Sequence, residues 1–282
     1  MMAADSFAHA AAALRAGDRD RYLSTLVLTG KQRDAVTALY AFNADVAAIR
    51  ERVSSPAPGE VRLQWWSDAI SGTEHGSVRS NPVADALLQV TERNRIPSGT
   101  LLRLLNARRF DLYDDPMPDV ASFEGYAGET VSTLYQLAAM ILNDGEALEA
   151  GDAAGHLGVA HALIGHLRAF GRVSAQGRIM LPWSVFAANG VREGEIFAGT
   201  ESEGLVEALG QLSEMAADHL KRAETAIAAL PQQLRPAFAL TPVLRRQLEL
   251  LNRHSGSPFE PAPDEPDWRK ITRLAWWSWR GR

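Results

Sequence analysis

Apolar residues recur three and four positions apart through most of this 282-residue chain, between short runs rich in glycine and proline. That spacing is the period of an α-helix with one buried face. Alternating Val, Ile and Thr runs of strand length are scarce, so the sequence predicts an all-α protein. The stretch from Gly158 to Pro182 has the sharpest pattern. Val159, Leu163, Leu167 and Phe170 mark one face, Ala160 and Ile164 widen it, and Gly171 ends it. Gly158 and Gly165 each cost a helix about 1 kcal/mol relative to alanine. Such a loss is accepted where another helix or a ligand approaches the backbone closely. Arg168, Arg172 and Arg178 then bring three guanidiniums into eleven positions, a grouping suited to a phosphate or carboxylate.

A second strong helical pattern runs from Thr29 to Val53. Thr29 with Gln32 has capping-box spacing, and Val36, Leu39, Tyr40, Asn43, Val46 and Ala47 continue one face. Together the two stretches resemble the two signatures of the squalene/phytoene synthases, which join two prenyl diphosphates head to head. In the second signature Arg168, Gly177, Arg178, Leu181 and Pro182 match, whereas Ala169, Arg172 and Val173 stand at the acidic positions and Met180 at a tyrosine. In the first, the Ala38 to Phe42 run matches, but Asn43 and Ala44 replace a cysteine and an arginine. The aspartate positions there fall on Ala47, Ala48 and Glu51.

This resemblance implies an isoprenoid-synthase-like helical domain around a central cavity. In the family, two carboxylate clusters hold Mg²⁺, which neutralises the diphosphate and makes it a leaving group. Alanine, valine and arginine offer no oxygen ligands to that ion. Asp45 and Glu51, six positions apart, lie about 240° apart around a helix and cannot rebuild the site together. The resemblance therefore implies a catalytically degenerate member with no cofactor. The alternative is an active prenyl transferase that binds diphosphate through Arg168, Arg172 and Arg178. There Mg²⁺ would be held by Glu51, Glu129 or the Asp111, Asp114, Asp115 group. Those three aspartates share a helical face by spacing, but Pro116 and Pro118 follow at once and favour a turn.

Phe123 to Asn143 reads as a further helix with Tyr126, Thr130, Leu134, Leu137 and Ile141 near one face. Its Tyr126 to Leu134 segment resembles a diverged branch of the family, the mitochondrial complex I assembly factors. Tyr135, where active relatives carry glycine, is expected to fill part of the cavity. The resemblance implies Tyr126, Arg168, Arg172 and Arg178 as contacts for an isoprenoid or diphosphate ligand, and respiratory complex I subunits or another protein as partner.

The remaining segments are plainer. Trp65 and Trp66 are expected to pack, His75 to sit solvated in a polar loop, and His219 to belong to a surface charge group. Glu203 to Leu230 reads as a long amphipathic helix and Val243 to Asn252 as the last helix of a domain spanning 1–252. Residues 253–267 hold four prolines and read as a linker. The tail, 268–282, gathers Trp268, Trp276, Trp277 and Trp279 with five cations, a composition suited either to a membrane interface or to docking on protein.

A net charge of −5 without a long basic run argues against a nucleic-acid partner. The absence of cysteine rules out disulfides and thiolate chemistry and fits a reducing compartment. The first residues do not resemble a signal peptide, and no run of about 18 apolar residues is present. The expected location is cytoplasmic, with a peripheral place on the inner membrane face.

Overall fold

The helical period is realised in a computed structural model, which describes residues 2–73, 76–146, 150–254 and 256–280. Among these residues every regular element is helical. In order they are α1 (Met2–Gly17), α2 (Arg19–Ser24), α3 (Gly30–Ala47), α4 (Pro56–Ser71), α5 (Pro82–Arg93), α6 (Ser98–Arg108) and α7 (Val120–Ala127). A π-helical turn, Gly128–Ser132, leads into α8 (Thr133–Leu142). There follow α9 (Gly151–Arg168), α10 (Phe170–Ser174), α11 (Trp183–Ala188), α12 (Glu193–Phe197), α13 (Glu203–Ala229), α14 (Thr241–Arg253) and α15 (Asp267–Arg280). His75 lies outside the described residues, as do the last two residues of the tail.

Helices α1, α3 and α5 pack on one another, and α3 also meets α8. Helix α9 is the common neighbour of α13, α8, α14 and the π turn. Its apolar stripe explains this place: Val159, Ala160, Leu163 and Ile164 are all buried. Tyr126, Thr130, Leu134, Leu137 and Ile141 are buried too, as the spacing in their segment predicts. The π turn between them was not legible. It adds a residue to the helical ladder, and Thr133 Oγ1 donates back to the Gly128 carbonyl at 3.1 Å. Thr29 occupies the N-cap of α3, but its side chain makes no cap hydrogen bond, so the expected capping box does not form.

Tyr135 fills interior space, as its substitution for glycine implies. It is 2 % exposed, stacks on Phe238 with ring centroids 5.9 Å apart, and its hydroxyl meets His161 Nδ1 at 2.9 Å. Trp66 packs edge-on against Phe42 and donates from Nε1 to Asp45, whereas Trp65 keeps a third of its surface exposed. His219 departs from the surface role expected of it. Its Nδ1 faces His156 Nδ1 at 3.1 Å and its Nε2 lies 3.3 Å from Glu124, between α13, α9 and α7.

The two glycines of α9 serve different ends. A methyl group at Gly158 would lie 2.1 Å from Ser132 Oγ and 2.5 Å from the Ser132 amide nitrogen, so the close approach there is between helix and π turn. At Gly165 a methyl group would meet nothing within 4 Å. Gly158→Ala is expected to destabilise the protein by about 1–3 kcal/mol through overpacking. Gly165→Ala should stabilise it by up to about 1 kcal/mol through helix propensity. Urea unfolding of both variants checks the opposite signs.

Candidate functional site

The two signature regions meet where α3 and α9 end. Ala47 is the last residue of α3, Ala48 its C-cap, and Glu51 follows on a short 3₁₀ turn, Arg50–Arg52. Ala169 caps α9, and Arg172 and Val173 lie on α10. Gly177, at φ +74°, lets the chain reverse after α10, with the Arg178 amide bonded to the Val173 carbonyl at 3.2 Å. The strand-like run after it is held by Met117, whose amide donates to the Ile179 carbonyl and whose carbonyl accepts from Trp183. This places Arg178 against the Asp111 turn.

Charges at this mouth are paired within the protein. Arg172 Nη1 lies 2.6 Å from Glu51 Oε1, directly linking the two signatures. Arg50 pairs with Asp114 at 3.0 Å and Arg52 with Asp45 at 2.5 Å. Arg178 is buried and donates to Gln176 Oε1 at 2.9 Å. Burial, and then the neighbouring Arg50, pull its pKa down, while Asp114, Asp111 and Glu51 oppose them.

Beneath the mouth lies a network of buried polar groups. Tyr126 donates from its hydroxyl to Asp111 Oδ1 at 2.6 Å and accepts from Arg108 at 2.8 Å. Arg108 also bonds Asp111 Oδ2 at 3.0 Å and reaches Asn43 Oδ1 at 3.3 Å. Burial opposes the charge on Arg108, but Tyr126 and Asp111 outweigh it and raise its pKa. Burial pushes the Tyr126 phenol up, so its proton stays on oxygen. His166, edge-on to Phe123, is pulled down to about 4, first by burial and also by Arg108 and Arg178. Burial and then Arg21 hold His161 well below its usual range.

The side chains at the signature positions do not fit Mg²⁺. Ala47, Ala48, Ala169 and Val173 carry no donor, and Glu51 is engaged by Arg172. The alternative donors stay apart: Glu129 pairs with Arg103, Asp111 with Arg108, and Asp114 with Arg50. Among the described residues no three His, Asp or Glu side chains are placed to hold a metal ion. The chain leaves its helix at this point, as the prolines imply, and the Asp111 carboxylate is taken up by Arg108 and Tyr126.

The arginines of the second signature divide into two groups. Arg172 and Arg178 face the mouth, together with Tyr126 beneath it. Arg168 points elsewhere, to Asp264 at 3.4 Å and Asp20 at 3.9 Å, where it joins the segment leading to α15. Sequence reasoning missed Arg50 and Arg108. Arg108 had a usable signal, since Arg108 and Asp111 are spaced as an i, i+3 ion pair. Arg50 had none beyond adjacency to Glu51.

Removing the Tyr126 hydroxyl leaves a buried carboxylate and guanidinium short of a partner, so Tyr126→Phe should cost about 2 kcal/mol. Glu51 and Arg172 are each more than half exposed. Glu51→Ala should therefore change stability by less than about 1 kcal/mol. Denaturant titration of the two variants checks the ordering. For pH, a histidine held below its unfolded pKa of about 6.5 stays neutral in the fold while the unfolded chain takes up a proton. Stability is then full above that value and falls as pH drops towards 4. The slope should be about 1.4 kcal/mol per pH unit for each of His161 and His166, and His166→Gln should remove one proton from it.

The family described as Squalene/phytoene synthase matches residues 14–273. NADH dehydrogenase (ubiquinone) complex I, assembly factor 6 of Bos taurus is 27% identical over 269 residues, covering 95% of this chain and 80% of that protein. Its Rattus norvegicus counterpart is 27% identical over 278 residues, with 99% and 83% covered. Among solved structures, a dehydrosqualene synthase in complex with ligand superposes with a TM-score of 0.82 at 20% identity, covering 97% of this chain and 95% of that one. Squalene synthase HpnC from Alicyclobacillus acidocaldarius gives 0.76 at 17% identity, with 90% and 96% covered. The all-α fold is thus that of these synthases, and the chain belongs to the squalene/phytoene synthase family.

Proposed function

We propose that this chain is a catalytically degenerate member of the family that acts by binding, as an assembly factor for respiratory complex I at the membrane face. The observation that carries the proposal is the Glu51–Arg172 pair. It joins the two signatures by a direct ion pair at positions where the family's chemistry needs carboxylates around Mg²⁺. The relatives named as complex I assembly factor 6 match over nearly the whole chain and supply the biological direction. On this reading the protein needs no cofactor, and complex I subunits are its partners. Among the described residues no helix is long and apolar enough to cross a membrane, which suits a peripheral position.

A second reading is favoured by a specific observation. Arg50 Nε and Arg108 Nε are buried without a hydrogen-bond partner; Arg50 lies close to Arg178, and Arg108 pairs with Asp111, whose carbonyl Arg178 approaches at 3.5 Å. These donors suit an anionic headgroup, so a prenyl diphosphate bound without turnover is compatible with the mouth. Calorimetric titration with farnesyl diphosphate tests it. Heat of binding that Arg178→Ala abolishes would support a ligand, and none from folded protein would dismiss it.

The assembly role is tested by deleting the gene in its native host and resolving respiratory complexes on native gels. Loss of mature complex I, restored by the wild-type gene, is the expected result. Unchanged complex I content and NADH oxidation would remove the assembly claim.

A further inference from the structure

Helix α15 is docked by one face and bare on the other. On the inner face Lys270 reaches Asp20 and Asp264, each at 2.7 Å, and Leu274 is 2 % exposed. Asp267 pairs with Arg19, and Arg273 with Glu265, which Arg246 also holds. The segment before the helix is seated as well. Phe259 packs on Phe170, and its backbone lies where any side chain at Gly171 would go. These contacts fix the rotation of α15 about its axis.

That rotation turns Trp268, Ile271, Ala275, Trp276 and Trp279 outward along one stripe, all of them exposed. The three indoles keep 61, 54 and 67% of their surface in contact with solvent. Exposed Leu26 extends the apolar surface across a shallow groove of about 330 Å³ that Ile271 and Trp279 also line. Arg269 stands over the Trp268 ring at 5.1 Å and Arg280 over the Trp276 ring at 4.7 Å. Unlike Lys270 and Arg273, these two cations flank the stripe. The chain as a whole carries −5, so the face bearing them is opposite in sign to the rest of the molecule.

The geometry points to this stripe as a docking surface for an anionic lipid bilayer. Indole rings partition to the headgroup boundary, and arginines beside them meet lipid phosphates. The helix that carries the stripe is already folded and pinned by its inner face, so no ordering of the tail is required when it meets the membrane. Arg168, matched to the family's signature, acts here as a strut: its pairs with Asp264 and Asp20 tie the end of α9 to the segment that positions the stripe. The proposal rests on the membrane-face part of the reading above and names the surface that would serve it; vesicles contain no respiratory subunit, so its failure and that of the assembly role are distinguishable.

The test is flotation of the full chain with vesicles of phosphatidylcholine alone and of phosphatidylcholine mixed with phosphatidylglycerol. The expected result is binding to the mixed vesicles, with roughly thirtyfold weaker binding to the neutral ones for two flanking cations. A Trp276→Ser/Trp279→Ser double variant, whose folding is checked by circular dichroism, should lose roughly tenfold or more on the mixed vesicles. Arg269→Glu/Arg280→Glu should abolish the preference for anionic lipid. Failure of the wild type to bind either vesicle would overturn the proposal, as would undiminished binding by the tryptophan variant. Capture of a purified complex I subunit through the same tryptophans, without vesicle binding, would also overturn it and make the face a protein contact.

Discussion

The contact between Gly158 and Ser132 sets the position of the rest of the site. Without a side chain on Gly158, α9 lies directly on the backbone of the π turn, and α8, α13 and α14 pack around the same helix. That fixes where α9 ends and therefore where α10 and the following turn deliver Arg172 and Arg178. The π turn also sits in the helix that carries Tyr126, whose hydroxyl ties Asp111 and Arg108 together beneath the mouth. Helix packing and buried charge are thus parts of one arrangement.

The charge chemistry of the mouth follows from which residues stand at the two signatures. Helices α3 and α9 still direct their C-terminal residues toward one another. A metal-binding mouth needs several uncommitted oxygen donors within reach of one ion. Here Glu51, Asp111 and Asp114 are each matched to an arginine, and four of the signature positions carry alanine or valine. Exposed pairs such as Glu51–Arg172 contribute little to stability. Their effect is instead to leave the mouth without uncommitted carboxylates at Glu51, Asp111 and Asp114, which is what supports the binding reading proposed above.

Much of the fold was legible because it rests on periodicity. The stripe of α9, the inward face of the helix from Phe123, and the long α13 all follow from apolar residues three and four apart. The loss of the acids was equally legible, since residue identity alone decides whether a donor exists. What escaped was anything set by rotation and long-range contact. Three arginines within eleven positions look like one binding group in sequence, yet the turn between α9 and α10 sends Arg168 to Asp264 and Asp20 and the other two to the mouth. His219 looked solvated beside Lys221 and Arg222, but its own position on α13 points it at His156 and Glu124. The tail composition allowed either docking or display, and the ion pairs of Lys270 and Asp267 show that opposite faces of α15 do each.

We propose that the mouth no longer performs the family's chemistry. Its most direct test is a turnover assay on folded protein with farnesyl and geranylgeranyl diphosphates, with and without Mg²⁺, and with Arg178→Ala as control. No diphosphate release is expected in any condition. Magnesium-dependent release that Arg178→Ala abolishes would contradict it and show that the paired carboxylates can reopen to hold a metal.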